Sequence, residues 1–497
     1  MGIIFKQSLK NTVIIYLGFL IGGINTIFLY ARFLKEDYYG LVTFVLSSSN
    51  LIMPLIVLGT HNTIIKYFTS YSTKEEKDKF LSSIMFLPLI IALIIGYFWD
   101  IFHHSILSAT INDNRIIENY TIYIYIVAVS CAYFEMFYSW AKVQLQSVFG
   151  NLLKELYNRA AVMILLFAVY FDLLSKENFI VYLSYAYILR VILMMLHAFK
   201  LYRPKIRLSL PHNYKEVLKY SAYILLAGSA SAIVFDIDKV MIPGKEGFAK
   251  AAYYSVAVFI GSFIEAPSRA MTQIIQPLTS KSINDNNGKE LLSLYKKSSI
   301  NLLVIGGLFF VLVNTNVTDL FKVMPEKGYA GGELVVLMIS LAKLLNMSLG
   351  NNTAIINNSK FYKIALPVSF GMAFTVFYLN NYFYYDLNFG TDGLALATFL
   401  VVSFFGLLKL WFVNIKLKMF PFTKKTLNAF LVITCSYILF KNINFNFLEI
   451  YVYKINLAPI LNIIGKSILI IILYTFVVLK LKISIQLNDL KNRFIKF

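Results

Sequence analysis

The 497-residue chain is 58% hydrophobic and 14% charged, with a mean hydropathy of +0.67, whereas soluble domains run at roughly 45–50% apolar and 25% charged. That balance excludes an ordinary soluble domain. The formal charge of +20 is spread through short gaps between apolar stretches, which reads as membrane topology and excludes a nucleic-acid surface.

In chain order there are about fourteen apolar stretches, each near the roughly 20 residues that carry a helix across a bilayer. They cover residues 12–33, 39–61, 80–101, 119–140, 157–174, 179–199, 219–242, 250–275, 299–317, 332–350, 362–383, 391–413, 427–445 and 459–480. Lys6 and Lys10 precede the first, but no small-residue cleavage site follows, so it reads as a retained helix. With the N-terminus cytoplasmic, inside gaps carry about 29 Lys and Arg, outside gaps about 10 and the spans about 7, as the positive-inside rule requires. An even count returns the C-terminus to the cytoplasm, where Lys480, Lys482, Lys491, Arg493 and Lys496 follow the last span. No gap exceeds about 20 residues, too few for a folded domain of about 50. Cys131 and Cys435 both fall within spans and read as small hydrophobes, giving neither a disulfide framework nor a metal site.

The gap at residues 200–218 carries Lys200, Arg203, Lys205, Arg207 and Lys215 with Pro204 and Pro211, an extended basic linker. The opening "SLKNTVIIYLGFLIGGINTIFLYARFLKEDYYGLVTFVL" is loosely echoed after it by "EVLKYSAYILLAGSASAIVFDIDKVMIPGKEGFAKAAYYSVAVFI". Each has a basic start, a Gly/Ser-containing span, a charged turn and a second span opening with tyrosine and small residues. Such internal repeats build transporters around a site between halves. The expected division is an N-lobe at 1–199, the linker at 200–218, a C-lobe at 219–413, and a C-terminal helix pair with basic tail at 414–497.

The segment "FLKEDYYGLVTFVLSSSNLIMPLIVLGTHNTIIKYF", with Tyr39-Gly40 opening the second span and Gly59 near its end, resembles the start of bacterial polysaccharide exporters (Wzx-like flippases) of the MOP superfamily. So does "FDIDKVMI" closing the seventh span, followed by "AAYYSVAVFIGSF". The resemblance implies an all-α integral membrane fold of about fourteen transmembrane helices, in two pseudo-symmetric six-helix lobes plus the C-terminal pair. It implies export of undecaprenyl-diphosphate-linked oligosaccharide across the inner membrane by alternating access. Relatives implied by the same fold are MATE drug or ion antiporters, with twelve spans, and the flippase of the peptidoglycan precursor lipid II.

Ionisable groups at membrane depth cost several kcal/mol, so they face a cavity or a partner. Glu265, Arg269, Gln273 and Gln276 of the eighth span fall within roughly 80° on one helix face. Two readings stand: an interhelical ion pair, or a cavity lining in which Arg269 meets the lipid diphosphate. Asn25 and Arg32 lie seven apart on the first span above Gly18, Gly22 and Gly23, either lining the cavity or packing and snorkelling. Asp236, Asp238 and Lys239 end the seventh span, a cluster that recurs in the resembling exporters. Asp238 is a candidate for proton or sodium coupling, with ordinary interfacial solvation as the alternative. Glu135, Ser139 and Lys142 share a face of the fourth span, and Arg159, Arg190, Lys343 and Lys409 lie toward cytoplasmic span ends, as binders or interface anchors.

A glycan polymerase or ligase would bring a sizeable outer loop with converging acids or histidines. The outer gaps around His103-His104 and Thr318 to Glu333 are short, and two adjacent histidines are a weak metal signal. No P-loop is visible. The expectation is therefore a transporter without catalytic residues, cofactor or bound metal, whose partners are a polyprenyl-diphosphate-linked oligosaccharide and membrane lipids.

Overall fold

The computed structural model describes residues 2–108, 110, 115–207, 209–324, 327–445, 451–452, 455–484, 486 and 488. Lys491, Arg493 and Lys496 of the expected basic tail lie outside them.

Each of the fourteen stretches falls on a helix. Ten are long and apolar enough to span a bilayer alone: α1 (Lys10–Leu34), α2 (Glu36–Val57), α3 (Lys74–Tyr97), α4 (Ile116–Val143), α6 (Phe179–Leu201), α8 (Gly247–Thr272), α9 (Gly288–Val323), α11 (Tyr362–Asp386), α12 (Gly390–Leu417) and α14 (Ala458–Lys480). An eleventh, α10, is two helices, Glu333–Ser348 and Asn352–Asn358, bent by 55° at the break. The other three are more polar: α5 (residues 148–170) carries Lys154, Glu155 and Arg159, α7 is Tyr214–Met241, and α13 is Lys424–Lys441. Among the described residues the only sheet is a two-residue antiparallel pairing, Tyr451–Val452 with Ile455–Asn456, between α13 and α14.

Why an apolar helix has a defined inner face is clear on α14. Asn462, Lys466, Ile470, Tyr474 and Val478 are buried at a spacing of four, while Ile464, Ile468, Ile472 and Phe476 are exposed on the opposite side. A helix repeats near 3.6 residues, so the first set forms one packing stripe and the second a lipid-facing one.

The chain packs as two compact units, residues 1–255 with 366–378 and residues 256–365 with 379–497. In the first, α2 lies against α4 and α7, and α4 against α6. Its core gathers Phe80, Phe134, Phe137, Trp140 and Met194. In the second, α9 packs on α10, α13 and α14, and α10 on α12, around Leu303, Val311, Leu344, Ile433 and Ile470.

Several helices depart from regular α geometry at polar positions. Residues Asn25–Leu34 of α1 form a π-helix, and Phe263–Glu265 of α8 a 3₁₀ turn just before Pro267. The bend of α10 sits at Gly350, whose φ of +59° is one that residues with a Cβ rarely adopt.

Candidate functional site

In the first unit, charge collects at membrane depth on α4, α5 and α6. Glu135 of α4 accepts from Lys154 of α5 at 2.5 Å, and Glu155 pairs with Arg159 one turn on, at 3.1 Å. Lys142 sits 3.9 Å above the Tyr138 ring. Arg190 of α6 is only 5% exposed. Its guanidinium stacks 4.2 Å from Phe134 and 4.7 Å from Tyr187, and Nη2 donates to the Cys131 sulfur at 3.3 Å. Three cations, Lys142, Arg159 and Arg190, are thus buried or half-buried here with two carboxylates, Glu135 and Glu155, while Lys154 reaches Glu135 from an exposed position. A basic interior in low dielectric attracts an anion far more strongly than the same charges in water.

Of the first-span candidates, Asn25 is buried, and its amide donates to the Arg159 carbonyl at 2.7 Å, tying α1 to α5. Arg32 is exposed. On α7, Asp236 accepts from Lys239 at 3.1 Å, from Ser47 at 3.2 Å and from Asn50 at 3.3 Å, the last two on α2. Asp238 is buried and accepts from the Tyr254 hydroxyl at 2.5 Å. The two acids therefore face different neighbours, as residues two apart on a helix must.

In the second unit, Glu265 meets Lys343 of α10 at 2.7 Å, an ion pair between helices. Arg269 is exposed. A cleft of about 200 Å³ runs beside Glu265, Ser268, Thr272 and Gln276, and its opposite wall is the break of α10, with Asn346, Asn351, Asn352 and Thr353. Ser268, Thr272 and Gln276 recur every four residues and form the lining stripe, while Arg269 lies one position round the helix. The Gln273 side chain lies outside the described residues. Asn352 is 2% exposed, and neither its amide nitrogen nor its oxygen has a hydrogen-bond partner. A broken helix lining a polar cleft is how membrane transporters expose backbone and side-chain polar groups to a passenger. Among the described residues no three His, Cys, Asp or Glu converge as a metal site.

A sequence model described as "Polysaccharide biosynthesis protein" matches residues 8–266, just over half of the chain. The chain belongs to this family. Both segments that carry the exporter resemblance lie inside the matched span, so that reading is borne out. No curated protein matches the sequence. Among solved structures, the lipid II flippase MurJ in an inward closed conformation is 16% identical, covering 97% of this chain and 99% of its own, with a TM-score of 0.69. An inward-facing multidrug resistance MATE transporter of the MOP superfamily is 13% identical, covering 86% and 95%, with a TM-score of 0.59. A MATE transporter of Vibrio cholerae is 14% identical, covering 83% and 96%, with a TM-score of 0.52. These likenesses give this polysaccharide biosynthesis protein the helical fold seen in MurJ and the MATE structures.

One polar centre of this family member escapes sequence reading. Lys466 of α14 is 1% exposed. Its ammonium donates to the Thr315 carbonyl at 3.0 Å and to Asn444 at 3.2 Å, and lies 3.6 Å from Asp319 of α9. Asn462 also donates to Asp319, while Asn316 donates to Ser467 at 3.2 Å. The legible signal was a lone lysine within the apolar run of α14; its acid lies 147 residues away in sequence (466 − 319).

Proposed function

We propose that the protein is a flippase that moves an oligosaccharide linked to undecaprenyl diphosphate across the bacterial cytoplasmic membrane for surface polysaccharide assembly. The observation that carries this reading is the excess of cations over carboxylates on α4, α5 and α6, which suits a diphosphate, in a member of the polysaccharide biosynthesis family. The mechanism is alternating access by lobes 1–199 and 219–413, joined by the basic linker 200–218. Cations hold the diphosphate, polar cleft residues such as Gln276 take sugar hydroxyls, and the polyprenyl chain stays in lipid. Both termini are cytoplasmic. Arg269 meets the diphosphate, with Glu265 held beside it by Lys343, and Asn25 and Arg32 are further candidate substrate contacts. Asp238, with Asp236 and Lys239, is where a proton or sodium ion couples.

The pair α13 and α14 supports the polysaccharide branch over a twelve-helix antiporter, as does the smaller share of the chain that MATE structures cover. Proteoliposomes carrying a fluorescent lipid-linked oligosaccharide, probed with a membrane-impermeant reagent, test the reading. Protein-dependent exposure of the label is expected, and Arg269→Ala is expected to slow it at least tenfold without reducing membrane insertion. Flipping of lipid II alone would transfer the assignment to that substrate, and no flipping of either lipid would reject it. Normal export by the Arg269 variant would remove that residue from the substrate path.

A further inference from the structure

The N-terminal ends of α9 and α13 meet the segment just past α14 around a groove of about 600 Å³. Its walls include Leu292, Ile300 and Ile483, and its rim carries Lys289, Lys296, Lys297, Lys424 and Lys425 with Ser293, Thr423 and Gln486. We propose that this groove binds the headgroup of an anionic phospholipid of the surrounding leaflet.

The apolar run of α13 begins just after Lys425, and that of α14 ends at Lys480, so the groove sits at the depth of lipid phosphates. It is also held in shape. Thr423 and Thr426 form a capping box that fixes the start of α13, and Ser484 donates to Asn301 of α9 at 2.6 Å, pinning the chain after α14.

None of the five lysines is in an ion pair among the described residues. Like charges gathered on one rim beside a low-dielectric wall repel one another, and a bound anion removes that repulsion. The N-termini of two helices add partial positive charge on the same side.

The apolar walls decide the class of anion. A free phosphate would use the lysines and leave Leu292, Ile300 and Ile483 facing water, whereas a phospholipid places phosphate on the rim and its glycerol and upper acyl carbons on the walls. The groove shares no residue with the polar cleft at the α10 break, so its occupant is a resident lipid and not the passenger.

Native mass spectrometry of the full chain in detergent, with phosphatidylglycerol and phosphatidylcholine at equal concentration, tests this. Phosphatidylglycerol should be retained preferentially, and the combined variant K296Q/K424Q/K425Q should weaken retention on the order of 100-fold, as three lost lysine contacts predict. The matched K296R/K424R/K425R variant should keep it, which controls for folding, and so should a linker variant K200Q/K205Q/K215Q. Equal retention of phosphatidylcholine, or equal loss in the linker variant, would overturn the site. So would displacement of phosphatidylglycerol by millimolar inorganic phosphate, which indicates a free-anion site, or by undecaprenyl diphosphate, which indicates a passenger site.

Discussion

Lys466 and Asp319 are both almost fully removed from solvent, and the cost of desolvating them is offset by their mutual attraction and by Thr315, Asn444 and Asn462. Removing Asp319 strands the Lys466 charge, whereas removing Lys466 leaves Asp319 with Lys322 at 3.2 Å and with Asn462. Asp319→Asn should therefore destabilise the protein by about 3 kcal/mol, read as a lower Tm in detergent, and Asp319→Asn with Lys466→Met should recover much of the loss. A double variant as weak as the single one would mean that packing, not charge, dominates. Asn352 presents the opposite case, since its amide makes no hydrogen bond at all. Asn352→Leu should leave Tm unchanged or raise it, because burying an unpaired amide costs about 1–3 kcal/mol, yet it should slow transport if the cleft receives sugar. Unchanged transport would make Asn352 an unpaid strain with no passenger. The sequence flagged Glu265 on its face of α8 but not its partner Lys343, and it missed Asn352, because a helical stripe says where a residue points and not what stands opposite.

At the scale of elements, the Tyr39-Gly40 pair that carries the family resemblance has a physical cause. A Cβ on Gly40 would stand 1.8 Å from the Phe248 carbonyl oxygen. That neighbour is backbone and cannot rotate away, so α2 and the first turn of α8 touch main chain to main chain. Gly59 is constrained twice, by φ of +68° and by the Ser221 carbonyl at 2.4 Å from a Cβ. Gly40→Ala should lower stability by about 2 kcal/mol, as overpacking does, and reduce the folded yield measured by size-exclusion chromatography. A wild-type profile for that variant would show that the contact opens freely. Local sequence marks a glycine, but only the fold supplies the carbonyl that forbids a side chain.

At the scale of the whole molecule, α2 is tied to α7 through Ser47 and Asn50 to Asp236, and the short helix Thr60–Tyr67 that follows α2 is tied to α7 through Thr63 to Ser221 at 2.7 Å. In the proposed cycle α2 belongs to one lobe and α7 to the other, so this seam must part. Cross-linking Ser47→Cys to Asp236→Cys, with Cys131 and Cys435 replaced by serine, should block flipping, and reductant should restore it. Full activity while cross-linked would exclude rocking across this seam. If all fourteen stretches span, as proposed, both termini stand on one face, which reporter fusions at the ends of the chain check.

Hydropathy by itself determined where the long apolar helices lie along the chain, because bilayer thickness imposes a length on any apolar span. The sequence also exposed the family pattern. Tertiary structure alone decided which polar groups meet: Glu135 with Lys154, Glu265 with Lys343, Asp319 with Lys466, and the five lysines around the groove at α9, α13 and α14. Those partners are brought together by helix packing across long stretches of chain, and packing depends on shape complementarity that no local periodicity encodes.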